Sequence, residues 1–116
     1  KASPKEHDEA VSLISHLPIF LASALIETAH RDKNKSLLNL AEHLAASGFA
    51  DVTRVGGGNP QLGLDLATYN QENVLKAINA FKLNINQFES LIKNKQWQLL
   101  SKKLSHAKGI RKNFID

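Results

Sequence analysis

The sequence predicts an all-α domain of five to six helices, and three observations predict it. Alternating apolar and polar residues, the mark of a half-buried strand, are nearly absent. Apolar residues instead recur at helical spacing over most of the 116 residues. Helix punctuation also recurs, with Ser3-Pro4 and Asn59-Pro60 each placing a capping side chain before a proline that suits the first helical position. The length fits one domain, residues 1–116.

The first helix is expected over residues 4–30. Ser3 is the cap, Pro4 opens the helix and Glu6 completes a capping box. Val11, Ile14, Leu17, Leu21, Leu25 and Ala29 then form one stripe. Pro18 lacks a backbone donor and should kink this helix in its middle. The polar connector 31–35 leads to a second helix capped by Ser36. That helix carries Leu37, Leu40, Ala41, Leu44 and Ala45, and Gly48 is expected to end it in the left-handed conformation.

Residues 49–60 break the pattern. Asn59 and Pro60 restart a helix that runs to about Tyr69. Asn70 caps the next one, whose stripe is Val74, Leu75, Ile78, Phe81, Ile85, Phe88 and Ile92, to about Asn94. A last helix holds Trp97, Leu100 and Leu104 and ends near Gly109, leaving a tail, 110–116, that needs a partner to hold it. The segment 17–26 is apolar on nearly every side. A helix of that kind must be buried all round, which so small a helix set does not easily do. The expectation is an obligate helical oligomer.

Composition excludes several chemistries. There is no cysteine, hence no disulfide scaffold, thiolate metal site, Cys nucleophile or iron–sulfur cluster. There is no methionine either, and the opening Lys1-Ala2-Ser3-Pro4 reads as part of a longer protein. The longest apolar run, 17–26, is interrupted by Pro18 and Ser23 and is too short to span a bilayer. A cytoplasmic protein without membrane contact is expected.

The net charge of +4 is unevenly placed. Residues 1–75 carry 6 Lys/Arg against 9 Asp/Glu, whereas 76–116 carry 9 against 2. A basic last third can bind a polyanion. Twelve of the fifteen cations are Lys, however, and the aromatic platforms that single-strand binders use are not interleaved with them. A solvated surface is the preferred reading, and no nucleic-acid partner is expected.

Four features carry possible chemistry. Gly56-Gly57-Gly58-Asn59 follows no predicted strand and precedes no Lys-Ser/Thr, so it is not a nucleotide loop. It is either a turn ahead of a helix cap or a surface that a ligand approaches closely. Glu27 and His30 form a single Glu/His pair at i, i+3, where di-iron bundles need two pairs and further carboxylates. No metal site is expected. His16 faces away from His7 on a continuous helix and is read as a buried, hydrogen-bonded histidine packing the kink. Arg54, beside the glycines with Asp51 three residues earlier, has two readings. The pair is a local ion pair of little weight, or Asp51 orients Arg54 to grip a carboxylate with both guanidinium nitrogens.

Together, His7-Asp8-Glu9, Ile14-Ser15-His16-Leu17-Pro18, Gly48 to Val55, Asn59-Pro60 and Asn70 resemble the C-terminal helical domain of prephenate/arogenate dehydrogenases. The likeness covers about residues 4–113. Arg54-Val-Gly-Gly-Gly-Asn-Pro, with Gly63 and Ala67 to Asn70, is most similar to the cyanobacterial arogenate branch. The resemblance implies an interlocked homodimer like the C-terminal domain of 6-phosphogluconate dehydrogenase. It implies a separate Rossmann domain that carries the catalytic base and binds NADP or NAD, so the fragment alone is expected to be inactive. It further implies that Arg54 holds a carboxylate of a small-molecule substrate, that Gly58 lines the pocket, that Asp51 joins the ionic network around Arg54, and that His7 nears the same cleft. Two departures stand out. Ile19 replaces a second histidine after Ser-His-Leu-Pro, and Leu62-Gly63-Leu64-Asp65 replaces Met-Trp-Arg-Asp. Both favour arogenate over prephenate. The competing reading is a non-catalytic helical interaction module whose basic last third binds a polyanion.

Overall fold

The computed structural model describes residues 2–31 and 34–115. Asp32 and Lys33 of the expected connector, and Asp116 of the tail, lie outside the described residues. Every regular element among the described residues is helical. The elements are α1 (Pro4–Val11), a π-helical segment (Ser12–His16), α2 (Leu17–His30), α3 (Lys35–Leu44), α4 (Ser47–Thr53), a 3-10 turn (Arg54–Gly57), α5 (Pro60–Tyr69), α6 (Gln71–Lys93) and α7 (Trp97–Arg111).

The α1, π and α2 pieces form the one helix expected over 4–30. The capping box closes as predicted. The Ser3 backbone N–H donates to Glu6 Oε1 at 3.0 Å, and the Glu6 N–H donates to Ser3 Oγ at 3.2 Å. Those bonds, the backbone one first, hold the exposed Glu6 carboxyl below its ordinary pKa. Pro18 does not break the helix. It cannot donate to Ile14, and the preceding turn widens instead: the Leu17 N–H bonds Ser12 O, five residues back.

That continuity corrects the expectation about length. The stretch Pro4–His30 is 27 residues long and contains an 18-residue window of mean hydropathy 1.7, so by length and composition it could cross a membrane. The same stretch carries Ser12, His16 and Ala22, which are buried against protein.

Three expected helix boundaries move. The cap of α3 is Asn34, whose Oδ1 accepts from the Ser36 and Leu37 N–H groups; Ser36 itself lies inside the helix. Gly48 does not end α3. The chain leaves α3 through Ala45 and the extended Ala46 (φ −129°), and Gly48 sits in the first turn of α4. Residues 49–60, expected to be irregular, contain most of α4 and the 3-10 turn. At the other end, α7 runs two residues past Gly109, to Arg111.

Two compact units partition the chain, residues 1–78 and 79–116. In the first, fully or nearly buried apolar side chains are small: Ala22 (0%), Ala77 (2%) and Val74 (3%). Ile14 is 62% exposed, and Leu13, Leu37, Leu40 and Leu44 also face outward. In the second, α6 ends in a Schellman turn. Gln96 N–H bonds Leu91 O, Lys95 N–H bonds Ile92 O, and Lys95 takes the left-handed conformation (φ 55°) where glycine is the usual residue. Across that turn, Lys103 Nζ donates to Gln87 Oε1 (2.7 Å) and Asn84 Oδ1 (3.2 Å) and lies 5.0 Å from the Phe88 ring centre. Leu83, Ile92, Trp97, Leu104 and Phe114 of this unit are at least half exposed.

Candidate functional site

The polar centre of the first unit is the joint between the π segment and the start of α6. Asn70 stands where a capping residue is expected, and its carbonyl accepts the first helical bond, from Val74 N–H at 3.0 Å. Its side chain does something else. Nδ2 donates to Asp8 O at 2.8 Å and lies 3.3 Å from His16 Nδ1, while Oδ1 accepts from Asn73 Nδ2 at 2.9 Å. An amide nitrogen only donates, so His16 Nδ1 must accept and the ring proton sits on Nε2. His16 is 7% exposed and Asn70 8%. Ser12 completes the joint by donating to Glu9 O at 2.6 Å. The expectation of a buried, hydrogen-bonded histidine at the kink is therefore met. Asn70 as its partner was not legible, because the two are 54 residues apart.

The residues singled out for binding belong to the same unit. His7 is on α1, exposed, with Nδ1 3.6 Å from Asp8 Oδ1. Asp51 lies on α4, and Arg54 opens the 3-10 turn. Both are exposed, and no ion pair joins them among the described residues. The local ion pair is thus not formed, and the Arg54 guanidinium is left to face solvent. Gly58 closes the turn in an extended conformation (φ −82°, ψ −168°). No hydrogen bond or ion pair links any two of His7, Asp51, Arg54 and Gly58 among the described residues.

What holds Arg54 in place is the seating of its turn. Thr53, just before it, is buried and donates its hydroxyl to Phe49 O at 2.7 Å. Gly56, two residues after it, lies against the α2 backbone at Ala22 and Ser23. The two departures from the family pattern also meet: a Cβ added to Gly63 would lie 3.6 Å from Ile19 Cγ2. An apolar contact occupies that place.

A separate apolar groove of about 630 Å³ lies among the end of α2, α3 and α4, lined by Ile26, Ala29, Leu38, Ala41, Leu44 and Phe49 among others. Its polar lining is His30 and Glu42, with no Lys or Arg among the described residues to hold an anion. Among the described residues no group of three or more His, Asp or Glu is placed to hold a metal ion. The glycine run does not fit a dinucleotide: it is a 3-10 turn that follows a helix, with Gly56 pressed on another helix. No residue of this chain is assigned to that cofactor.

Residues 3–106 match the model of the prephenate dehydrogenase dimerization domain. The chain belongs to this family. Among solved structures, the Synechocystis arogenate dehydrogenase is 43% identical with a TM-score of 0.96, covering 98% of this chain and 41% of that one. Prephenate dehydrogenase from Aquifex aeolicus, solved with hydroxyphenyl propionate and NAD+, is 31% identical with a TM-score of 0.85, covering 99% and 39%. Prephenate dehydrogenase of Bacillus subtilis is 29% identical over 109 residues, 94% of this chain and 29% of that protein. The chain thus spans well under half the length of these relatives. The all-α class and the family expected from the sequence both stand.

Proposed function

We propose that the chain is the dimerisation and substrate-binding domain of a cytoplasmic arogenate dehydrogenase, with prephenate as the alternative substrate. The observation that carries this reading is the family match over residues 3–106, combined with an exposed Arg54 that no acidic side chain among the described residues engages. Both candidate substrates are dicarboxylates. An unpaired guanidinium offers a carboxylate two parallel charge-assisted hydrogen bonds.

Arogenate is favoured on two grounds. The Synechocystis arogenate dehydrogenase shares 43% of residues, the Aquifex prephenate dehydrogenase 31%. The Ile19–Gly63 contact also removes polar groups from the region where the resemblance expects them. The reaction is oxidative decarboxylation. Hydride leaves the ring carbon bearing the hydroxyl, the ring carboxylate departs as carbon dioxide, and the ring becomes aromatic. The hydride acceptor, NADP or NAD, and the base that takes the hydroxyl proton belong to the part of the enzyme outside this chain. The residues here bind and orient: Arg54 on the carboxylate, Gly58 as open backbone at the pocket wall, Asp51 and His7 as charged and polar neighbours.

A homodimer is supported by the dimerization-domain family and by burial. Large apolar side chains remain exposed while the buried ones are small, a surface that a second copy would cover. The family reading also displaces the polyanion module, whose Lys103 is engaged by Asn84, Gln87 and Phe88.

The test is Arg54→Ala in the full-length enzyme. Losing a charge-assisted pair of about 1.5–3 kcal/mol should raise the KM for substrate about 10- to 150-fold. The KM for the dinucleotide should not change. An unchanged substrate KM refutes the assignment.

A further inference from the structure

Three consecutive glycines precede the cap of α5, and they are not equivalent. None of the described glycines has a positive φ, so left-handed freedom is not what the run supplies. A Cβ on Gly57 would meet nothing within 4 Å, and one on Gly58 would meet only Val55 O, at 3.8 Å. A Cβ on Gly56 would lie 3.0 Å from Ile26 Cδ1, 3.1 Å from the Ala22 carbonyl carbon and 3.1 Å from the Ser23 nitrogen. Ile26 Cδ1 is the end of a flexible side chain and can swing away. The other two atoms are helix backbone, and Ala22 is wholly buried, so the helix gives less readily than a side-chain end.

The turn bearing Arg54 therefore rests directly on the 22–23 peptide of α2, with no side chain between. We propose that Gly56 is a positioning residue for Arg54: this backbone-to-backbone seat sets the height of the turn above α2 and hence where the guanidinium stands. The proposal rests on the reading of Arg54 as the carboxylate-binding residue. A methyl at Gly56 needs a few tenths of an ångström that the α2 backbone resists supplying, so the exposed turn lifts. Two parallel hydrogen bonds from one guanidinium tolerate little displacement, because a binding group must be held within about 0.5 Å and 10–20° of its productive geometry. Thr53 ties the preceding residue to α4, so the lift becomes a tilt of Arg54 rather than a uniform translation.

The experiment uses the full-length enzyme with Gly56→Ala, Gly57→Ala and Arg54→Ala, measured with arogenate and prephenate. Gly56→Ala is expected to raise the substrate KM about 3- to 30-fold, a part of the Arg54→Ala effect, with kcat within about threefold and the dinucleotide KM unchanged. Gly57→Ala, one residue along in open space, should leave the KM within about twofold, since nothing there must move. If Arg54→Ala raises the KM and a folded Gly56→Ala does not, the positioning role is overturned while the Arg54 reading survives. If Arg54→Ala itself has no effect, the underlying reading fails. Should Gly56→Ala be too unstable to purify, Gly56→Ala with Ile26→Ala removes the nearest atom but keeps the backbone conflict. That pair should still show a raised KM against Ile26→Ala alone, and an equal KM overturns the proposal.

Discussion

Asn70→Ala tests the buried polar joint of the first unit. In the native chain Nδ2 serves two acceptors, Asp8 O at 2.8 Å and His16 Nδ1 at 3.3 Å. Truncation removes both bonds and the 2.9 Å bond from Asn73. Asp8 O keeps a second donor, the Ser12 N–H, so its loss is that of an ordinary hydrogen bond, about 0.5–1.5 kcal/mol. His16 is only 7% exposed and its Nδ1 has no other partner among the described residues, and an unsatisfied buried acceptor costs about 1–3 kcal/mol. The expected loss is about 1–4 kcal/mol, short of the simple sum because the bonds share one residue. It is read by urea denaturation of the full-length dimer at fixed protein concentration, since association contributes to apparent stability. The same logic predicts a partial rescue. His16→Phe removes the orphaned acceptor, so in the Asn70→Ala background it should recover about 1–2 kcal/mol, although it destabilises the native chain. A single-variant loss under about 0.5 kcal/mol, or strictly additive effects of the two changes, would refute the account.

Two further outcomes are expected. Glu6 is held below its ordinary pKa by the Ser3 bonds, so its contribution to α1 is present above the usual carboxylate range and fades as pH falls through that range and then below it. Protection factors of the amides in the first turn of α1, with the intrinsic pH dependence of exchange removed, should fall over that window in the native chain and stay flat in Glu6→Gln; equal profiles would show the capping carboxylate idle. Sedimentation of the full-length enzyme at micromolar concentration should show a dimer, and a stable monomer would contradict the need for a second copy to cover Leu13, Ile14 and Leu44.

Much of the helix set was legible because its signals are local. Ser3, Glu6, Asn59 and Pro60 act within a few residues of themselves, and the structure uses them as their spacing implies. Where local signals failed, competing local choices were available. Asn34 and Ser36 can both cap, and Asn34 has the extended backbone that lets its oxygen reach two N–H groups. Gly48 looked like a stop, but Ala46 turned the chain first. Asn70 looked like a cap by its side chain, yet a distant helix claimed that side chain. Of the candidate site, Arg54 was visible as a cation in an uncharged setting. Its freedom from Asp51 was not, because both readings of an i, i+3 pair are sterically open until the turn is built.

The sequence by itself determined the helical class, the continuity of residues 4–30 as one helix, the surplus of apolar surface and the residues able to grip an anion. Each follows from short-range periodicity, capping chemistry or residue type. Only the tertiary structure decided why three glycines precede α5, which partner His16 takes, and how Pro18 is accommodated. Those answers depend on which backbones meet across 34 to 54 residues of intervening chain, and on the π turn that spares the helix from its proline. Gly56 shows the reason most plainly: the lack of a side chain means nothing until the helix it would have struck is in place.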